Sequence, residues 1–160
     1  MAPAIAVTVK QTTPTTVAFV SMKGSYSQMG EAFGKLYTWI GQKRYVPAGP
    51  PSGAYYNMPG QVPEESLLWE LRSPIAGAVP ASGPDERGFG VKQVESTQVA
   101  SAMHRGPFDG VGQTWQELAA WIYQNGYEIA GPSEEVYLTE PDKVPPAEYL
   151  TEIRFPVKRA

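Results

Sequence analysis

The sequence predicts an α+β fold in which two similar strand–helix–strand–strand modules form an antiparallel sheet, with two helices on one face and a ligand groove on the other. The first observation behind this prediction is an internal repeat, because residues 9–75 align with residues 91–157 without a gap, as when Gly24 meets Gly106. The second is apolar spacing typical of one helix in each copy. The third is a set of short β-branched and aromatic segments around those helices.

The first copy begins with a strand over residues 16–23, which are mostly apolar and β-branched. Ser27 is a candidate helix N-cap, and apolar residues then recur at helical spacing. They are Met29, Phe33, Leu36 and Ile40. Two further strands are predicted over residues 52–58 and 67–73.

The second copy repeats this order, with a strand over residues 99–105 and a helix that Asp109 is expected to cap. Gly126 ends that helix, since glycine tolerates the left-handed conformation that follows a helix. Closing strands are predicted over residues 135–139 and 150–157. One extra strand is expected before each copy, over residues 5–11 and 91–93.

The predicted organisation is one domain over residues 1–160. Its first module covers about 1–78 and its second about 87–160. A connecting segment rich in Gly, Pro and Ala covers about 76–90.

Composition excludes several classes of function. A formal net charge of -3 and an isoelectric point near 5.2 argue against a nucleic-acid surface. The chain has no cysteine and one histidine, His104, so neither a metal site nor a cofactor is expected. There is no apolar run long enough to span a membrane. A cytoplasmic location is the default expectation.

Glu135 is the residue at which the two copies differ most usefully, because its aligned partner is Gly53. Strand alternation predicts that Val136 and Leu138 face the core, so that Glu135 and Tyr137 share the groove face. A carboxylate among aromatic rings suits an organic cation, and a desolvated carboxylate can serve as a general base. The alternative is a solvated strand carboxylate. The candidate aromatic residues around it are Tyr55, Tyr56, Tyr137 and Tyr149.

A second carboxylate, Glu152, is duplicated as Glu70, and each precedes an arginine by two residues, Arg154 and Arg72. Duplication favours a structural ion pair, but two carboxylates lining a groove could also polarise a ligand. Trp69 is expected either to pack with its own strand or to form one wall of the pocket.

Two segments of the second copy stand out beside the duplicated module. The first runs from Gly126-Tyr127 through Gly131-Pro132 to Glu135-Val136-Tyr137, and the second is the closing strand from Thr151 to Val157. In the order and spacing of these features, essentially the whole chain resembles the GyrI-like small-molecule-binding family.

This resemblance implies a groove between the modules that takes flat, apolar and often cationic molecules. The central pocket glutamate of the family falls on Glu135, and a pocket tyrosine falls on Tyr149. The family includes the effector-binding halves of AraC-type and MerR-type regulators. Because the first predicted strand starts close to Met1, we expect a stand-alone member that does not itself bind nucleic acid.

The family leaves three functions open. The first is binding of an aromatic or cationic small molecule. The second is hydrolysis of a cyclopropane-bearing toxin, in which Glu135 would activate water and Tyr149 would be a second catalytic residue. The third is interaction with a protein partner, as in the inhibitor of DNA gyrase that gives the family its name.

Overall fold

A computed structural model describes residues 5–160 and confirms an α+β fold with antiparallel strands and two helices. Neither helix is long and apolar enough to cross a membrane. The elements within the described residues are β1 (Thr8–Gln11), β2 (Thr15–Lys23), α1 (Met29–Gln42), β3 (Ser52–Tyr55), β4 (Leu68–Pro74), β5 (Phe89–Val94), β6 (Gln98–Arg105), α2 (Val111–Gln124), β7 (Tyr127–Ile129), β8 (Ser133–Tyr137) and β9 (Leu150–Arg159).

The chain divides into two compact units. The first unit comprises residues 13–96, and its strands pair in the order β3-β4-β2-β5. The second unit comprises residues 97–160 together with residues 5–12, and its strands pair in the order β1-β6-β9-β8. The short strand β7, which the sequence pattern does not predict, pairs with β9.

The two extra strands, β1 and β5, each pair with a strand of the other copy of the repeat. Strand β1 pairs with β6 of the second unit, where Thr8 lies opposite Ser101. Strand β5 pairs with β2 of the first unit, where Val91 lies opposite Ala18. Each extra strand therefore completes the sheet of the copy that it does not precede, and residues 89–90 at the end of the predicted linker belong to β5.

Each helix packs its apolar stripe on the sheet of its own unit. In the first unit, Leu36 and Ile40 of α1 are almost fully buried in the same cluster as Leu71. In the second unit, Leu118 and Ile122 of α2 share a cluster with Ile153 and two residues that follow it on the same face of β9. Those two residues are Phe155 and Val157. The predicted burial of Leu36 and Ile40 in the first helix is thus confirmed.

Both predicted helix caps are wrong, because a 3₁₀ turn precedes each α-helix. Ser25 caps the turn Tyr26–Gln28 by accepting a hydrogen bond from the Ser27 backbone amide. The second turn is Phe108–Gly110, and no side chain among residues 5–160 caps it. The helices therefore begin two residues after Ser27 and Asp109, which is one residue later than caps at those positions would give.

Candidate functional site

Strand register puts Glu135 on the helix-covered face of the second unit. Glu135 lies opposite Ile153, and Tyr137 lies opposite Thr151. Residues directly opposite each other in an antiparallel pair project to the same face. Because Ile153 belongs to the core under α2, the prediction that Glu135 and Tyr137 lie on the face away from the helices is wrong.

Val136 is buried, as predicted, but not on the helix side of the sheet, and the predicted burial of Leu138 is wrong. Val136 lies opposite Glu152, so it is on the face away from the helix, although it is buried. Leu138 follows the end of β8 and is 38% exposed. The apolar character of Val136 suggested the helix side, but this strand has buried positions on both faces.

Glu135 belongs to an aromatic group that we call the Glu135 cluster, formed with Phe108, Tyr137 and Tyr149. The Tyr137 hydroxyl donates a hydrogen bond of 3.1 Å to Glu135 Oε1. The Phe108 ring meets Tyr137 edge-on at 5.8 Å between centroids and stacks on Tyr149 at 4.9 Å. The Tyr149 hydroxyl donates to the Pro141 carbonyl oxygen at 3.1 Å, so Tyr149 contributes its ring to the cluster.

Phe108 was not among the predicted site residues, although the repeat contains a signal for it. It aligns with Tyr26, and both residues lie two positions after a glycine that ends a strand. In the structure Phe108 opens the 3₁₀ turn before α2 and is 44% exposed. An exposed aromatic ring that contacts the tyrosine bonded to Glu135 is a surface that a ligand can reach.

His104 ties the turn that carries Phe108 to the sheet. Its Nε2 lies 2.9 Å from the Pro107 carbonyl oxygen, and its Nδ1 lies 2.9 Å from Thr114 Oγ1 of α2. A carbonyl oxygen only accepts hydrogen bonds, so Nε2 carries the proton. The ring also lies so close to Gly110 that a Cβ there would come within 2.9 Å of His104 Cε1.

The aligned positions of the first unit form a closed aromatic core. The rings of Tyr26 and Tyr55 meet edge-on at 5.4 Å, and Tyr26 meets Trp69 at 5.5 Å. Trp69 is 1% exposed, and its Nε1 donates to the Gly24 carbonyl oxygen at 2.9 Å. Tyr55 lies opposite Trp69, so its predicted place on the groove face is wrong. Both residues pack in the core.

Glu152 lies on the other face of the second unit, within an ion cluster. It accepts hydrogen bonds from Ser101 Oγ at 2.7 Å and from Arg154 at 3.1 Å, and Lys10 Nζ lies 2.6 Å away. Burial acts to raise the pKa of Glu152, but the bonds from Arg154, Lys10 and Ser101 outweigh it and lower that pKa from 4.5 to about 2. Glu134 adds a longer contact to Arg154 at 3.4 Å.

Glu70 has the same kind of partners in the first unit. It lies 2.6 Å from Arg72 and 2.7 Å from Lys92. Lys92 aligns with Lys10 in the repeat, so the exchanged strands β5 and β1 supply the two lysines. The Lys92 ammonium group also lies 4.7 Å from the centre of the Phe19 ring.

A separate depression of about 580 Å³ lies in the first unit, beside this second ion cluster. Its lining includes Phe19, Glu70 and the segment 81–84. Tyr56, one of the predicted aromatic residues, lines it and is 47% exposed, with its hydroxyl 3.5 Å from Lys92 Nζ. Among residues 5–160, no three His, Cys, Asp or Glu side chains are grouped closely enough to hold a metal ion.

The family of the chain follows from its sequence and agrees with this architecture. Residues 6–158 match the model of the GyrI-like small molecule binding domain. The chain belongs to this family. A search of curated proteins gives no match.

Three solved proteins show the same fold at low sequence identity. EcmrR in complex with DNA is 17% identical with a TM-score of 0.83, over 97% of this chain and 58% of that one. The C-terminal domain of EcmrR alone is 20% identical with a TM-score of 0.78, over 98% and 99% of the two chains. This GyrI-like chain therefore spans little more than half of the EcmrR chain in the DNA complex.

The other two are a Listeria innocua protein described as a hydrolase and SAV2435 bound to tetraphenylphosphonium. The hydrolase is 19% identical with a TM-score of 0.68, over 98% of this chain and 94% of that one. SAV2435 is 16% identical with a TM-score of 0.56, over 96% and 94% of the two chains.

Proposed function

We propose that this GyrI-like chain binds aromatic cations and that the Glu135 cluster is the binding site. The observation that carries the proposal is the Glu135 carboxylate, which accepts a hydrogen bond from Tyr137, together with the Phe108 ring, which contacts Tyr137 edge-on and stacks on Tyr149. Aromatic faces attract cations, and a carboxylate supplies the opposite charge. The tetraphenylphosphonium bound by SAV2435 has this chemistry and provides a first probe.

The first test compares tetraphenylphosphonium with tetraphenylborate, an anion of nearly the same shape. Calorimetric titration of the parent protein should show that the cation binds more tightly. Glu135→Gln should weaken cation binding by about 5–30-fold, which corresponds to the 1–2 kcal/mol typical of such charge contacts. The same variant should bind the borate no less tightly than the parent does.

Glu134→Gln is the matched control, because it removes the same charge one residue away. Glu134 lies opposite Arg154 on the other face of the sheet, so this variant should bind the cation within about twofold of the parent. Equal losses in the two variants would indicate a long-range charge effect and would contradict a site at Glu135.

A second candidate function is hydrolysis of a strained electrophile. The Tyr137–Glu135 hydrogen bond favours it, because an oriented carboxylate can take a proton from water while that water attacks a cyclopropane carbon. The ring C–C bond would then break towards an acceptor carbonyl, whose oxygen receives the electrons and is subsequently protonated. Tyr149 would act mainly as an aromatic wall, since its hydroxyl is bonded to Pro141.

Mass spectrometry separates these two functions. A parent protein that converts a cyclopropane-bearing aromatic compound into its water adduct, and a Glu135→Gln variant that binds the compound without converting it, would establish the enzyme. Binding without a mass change in either protein would leave the chain as a binding module. If neither cation nor electrophile binds, a protein partner becomes the better hypothesis.

A further inference from the structure

We infer that the ligand of the Glu135 cluster carries an oxygen or nitrogen atom that can accept a hydrogen bond, and that Thr151 recognises it. This inference rests on the proposed binding function and narrows it. A cation with only hydrocarbon around its charge would be a weaker ligand than a cation of the same size that also presents a hydroxyl, ether or carbonyl group.

The Thr151 side chain is completely buried, yet its Oγ1 has no hydrogen-bond partner within residues 5–160. It lies between Tyr137 on β8 and His104 on β6, both directly opposite it in the sheet. Leaving a buried hydroxyl unsatisfied is costly, and valine has nearly the same shape without that cost. A threonine at this position is therefore explained by a partner that the ligand supplies.

The repeat shows what this position does when it has only a structural role. Thr151 aligns with Trp69, whose indole fills the space beside Tyr55 and donates to Gly24. Replacing an indole by a threonine removes most of the side-chain volume beside Tyr137 and leaves a small polar group in its place. The second unit thus has the Thr151 hydroxyl at the position where the first unit has the buried Trp69 indole.

Trp115 provides an independent observation on the same face. Its Nε1 is buried without a hydrogen-bond partner in the described part of the chain, and its ring packs edge-on against Phe155 at 5.0 Å. Thr151 and Phe155 flank Ile153 on one face of β9, and Ile153 lies opposite Glu135. The two unsatisfied groups therefore lie on either side of the glutamate along this strand.

All three polar groups are specific to the second unit. The aligned residues of the first unit are Gly53 for Glu135, Trp69 for Thr151 and Phe33 for Trp115, and none of them offers an unsatisfied polar group. An indole N–H can only donate, whereas a hydroxyl can donate or accept. A ligand group with a lone pair satisfies either residue, which defines the chemical class as an aromatic cation with a hydrogen-bond acceptor.

The experiment compares two triphenylphosphonium cations that differ by one group, 3-hydroxyphenyl against 3-methylphenyl, together with tetraphenylphosphonium. At pH 6 the phenol is neutral, and the two substituents have similar size. The parent should prefer the hydroxyl compound by about 5–10-fold, a ratio typical of one satisfied hydrogen bond in a buried site. Thr151→Val should reduce that preference to less than about twofold and leave tetraphenylphosphonium binding unchanged within about twofold.

Thr151→Ser keeps the hydroxyl and should keep the preference, which excludes a packing effect of the valine. Thr38→Val, a change at an exposed threonine of α1, is the matched control and should have no effect. If all three cations bind but the preference is absent from the parent or survives in Thr151→Val, the inference is overturned and the binding function stands. If no cation binds the parent, both proposals fail.

Discussion

The two units differ most on the faces covered by their helices, where aligned positions carry different side chains. In the first unit, Tyr26, Tyr55 and Trp69 pack into an aromatic core, with the indole N–H satisfied by a backbone carbonyl. In the second unit, the aligned residues include the exposed Phe108 and Thr151, whose buried hydroxyl has no hydrogen-bond partner in the described part of the chain. In the first unit these positions form a packed aromatic core. In the second unit they include a buried hydroxyl, that of Thr151, whose presence stability alone does not explain.

The opposite face shows the reverse relationship, because both units keep the same ion cluster. Glu70 pairs with Arg72 and Lys92, and Glu152 pairs with the aligned Arg154 and Lys10. A buried carboxylate needs such partners wherever it occurs. We conclude that a feature shared by both copies, such as this cluster, is structural, and that a feature confined to one copy is the better guide to binding.

The largest expected effect is on the free energy of unfolding, when Trp69 of the first unit is replaced by threonine, the residue at the aligned position of the second unit. Trp69→Thr removes a fully buried indole and its hydrogen bond to Gly24, and it should lower the free energy of unfolding by about 3–5 kcal/mol. Urea denaturation measures this. Trp121→Thr is the control, because Trp121 is only partly buried against its core and should lose less than half as much. Equal losses of unfolding free energy in the two variants would contradict the assignment of Trp69 as a buried core residue.

Acid should weaken the second unit through Glu152. Its pKa is lowered to about 2 in the folded protein, so between about pH 4.5 and pH 2 the unfolded chain binds more protons at this residue. The stabilisation is therefore present above pH 4.5 and is lost as the pH falls, by at most about 3 kcal/mol.

Unfolding free energies measured by urea titration at several pH values check this prediction. Glu152→Gln should be less stable than the parent at neutral pH, and its stability should fall less steeply between pH 4.5 and pH 2. Parallel pH curves for the two proteins would show that Glu152 does not titrate as the ion cluster requires.

Most of the fold could be predicted because the internal repeat and the spacing of apolar residues are both visible in the sequence. The gapless alignment indicates two copies of one module, and helical spacing places α1 and α2 within two residues of their observed starts. The exchange of β1 and β5 could not be predicted, since pairing between distant strands leaves no local signal in either segment. The helix starts were misplaced because Ser27 and Asp109 both lie in 3₁₀ turns.

The candidate site could be predicted only in part. The contrast between Glu135 and Gly53 is visible in the sequence, but the face of β8 is not. Glu134 and Glu135 are adjacent, so either phase of the alternation puts one carboxylate on each face, and only the pairing of Glu135 with Ile153 decides between them. Thr151 was missed because a threonine in a strand is ordinary unless its hydroxyl is seen to be buried without a partner.

The smallest expected effect is at Ser101, which aligns with Phe19 on the face away from the helices. Its hydroxyl donates a hydrogen bond to Glu152 Oε2 at 2.7 Å. Phe19 cannot donate one; its ring contacts Lys92 instead, and Glu70 is paired with Arg72 and Lys92. Ser101→Ala should therefore cost about 1–2 kcal/mol at pH 7, since it removes one hydrogen bond to a buried charge that keeps its other partners.

Ser21→Ala is the control for this change, because it alters an exposed serine of the first unit and should shift the free energy of unfolding by less than about 0.5 kcal/mol. The loss at Ser101 should also shrink below pH 3, where the proton taken up by Glu152 weakens the bond that the serine donates. A loss at Ser101 that is the same at pH 7 and pH 2 would mean that the hydroxyl acts through packing, and the two ion clusters would then be equivalent.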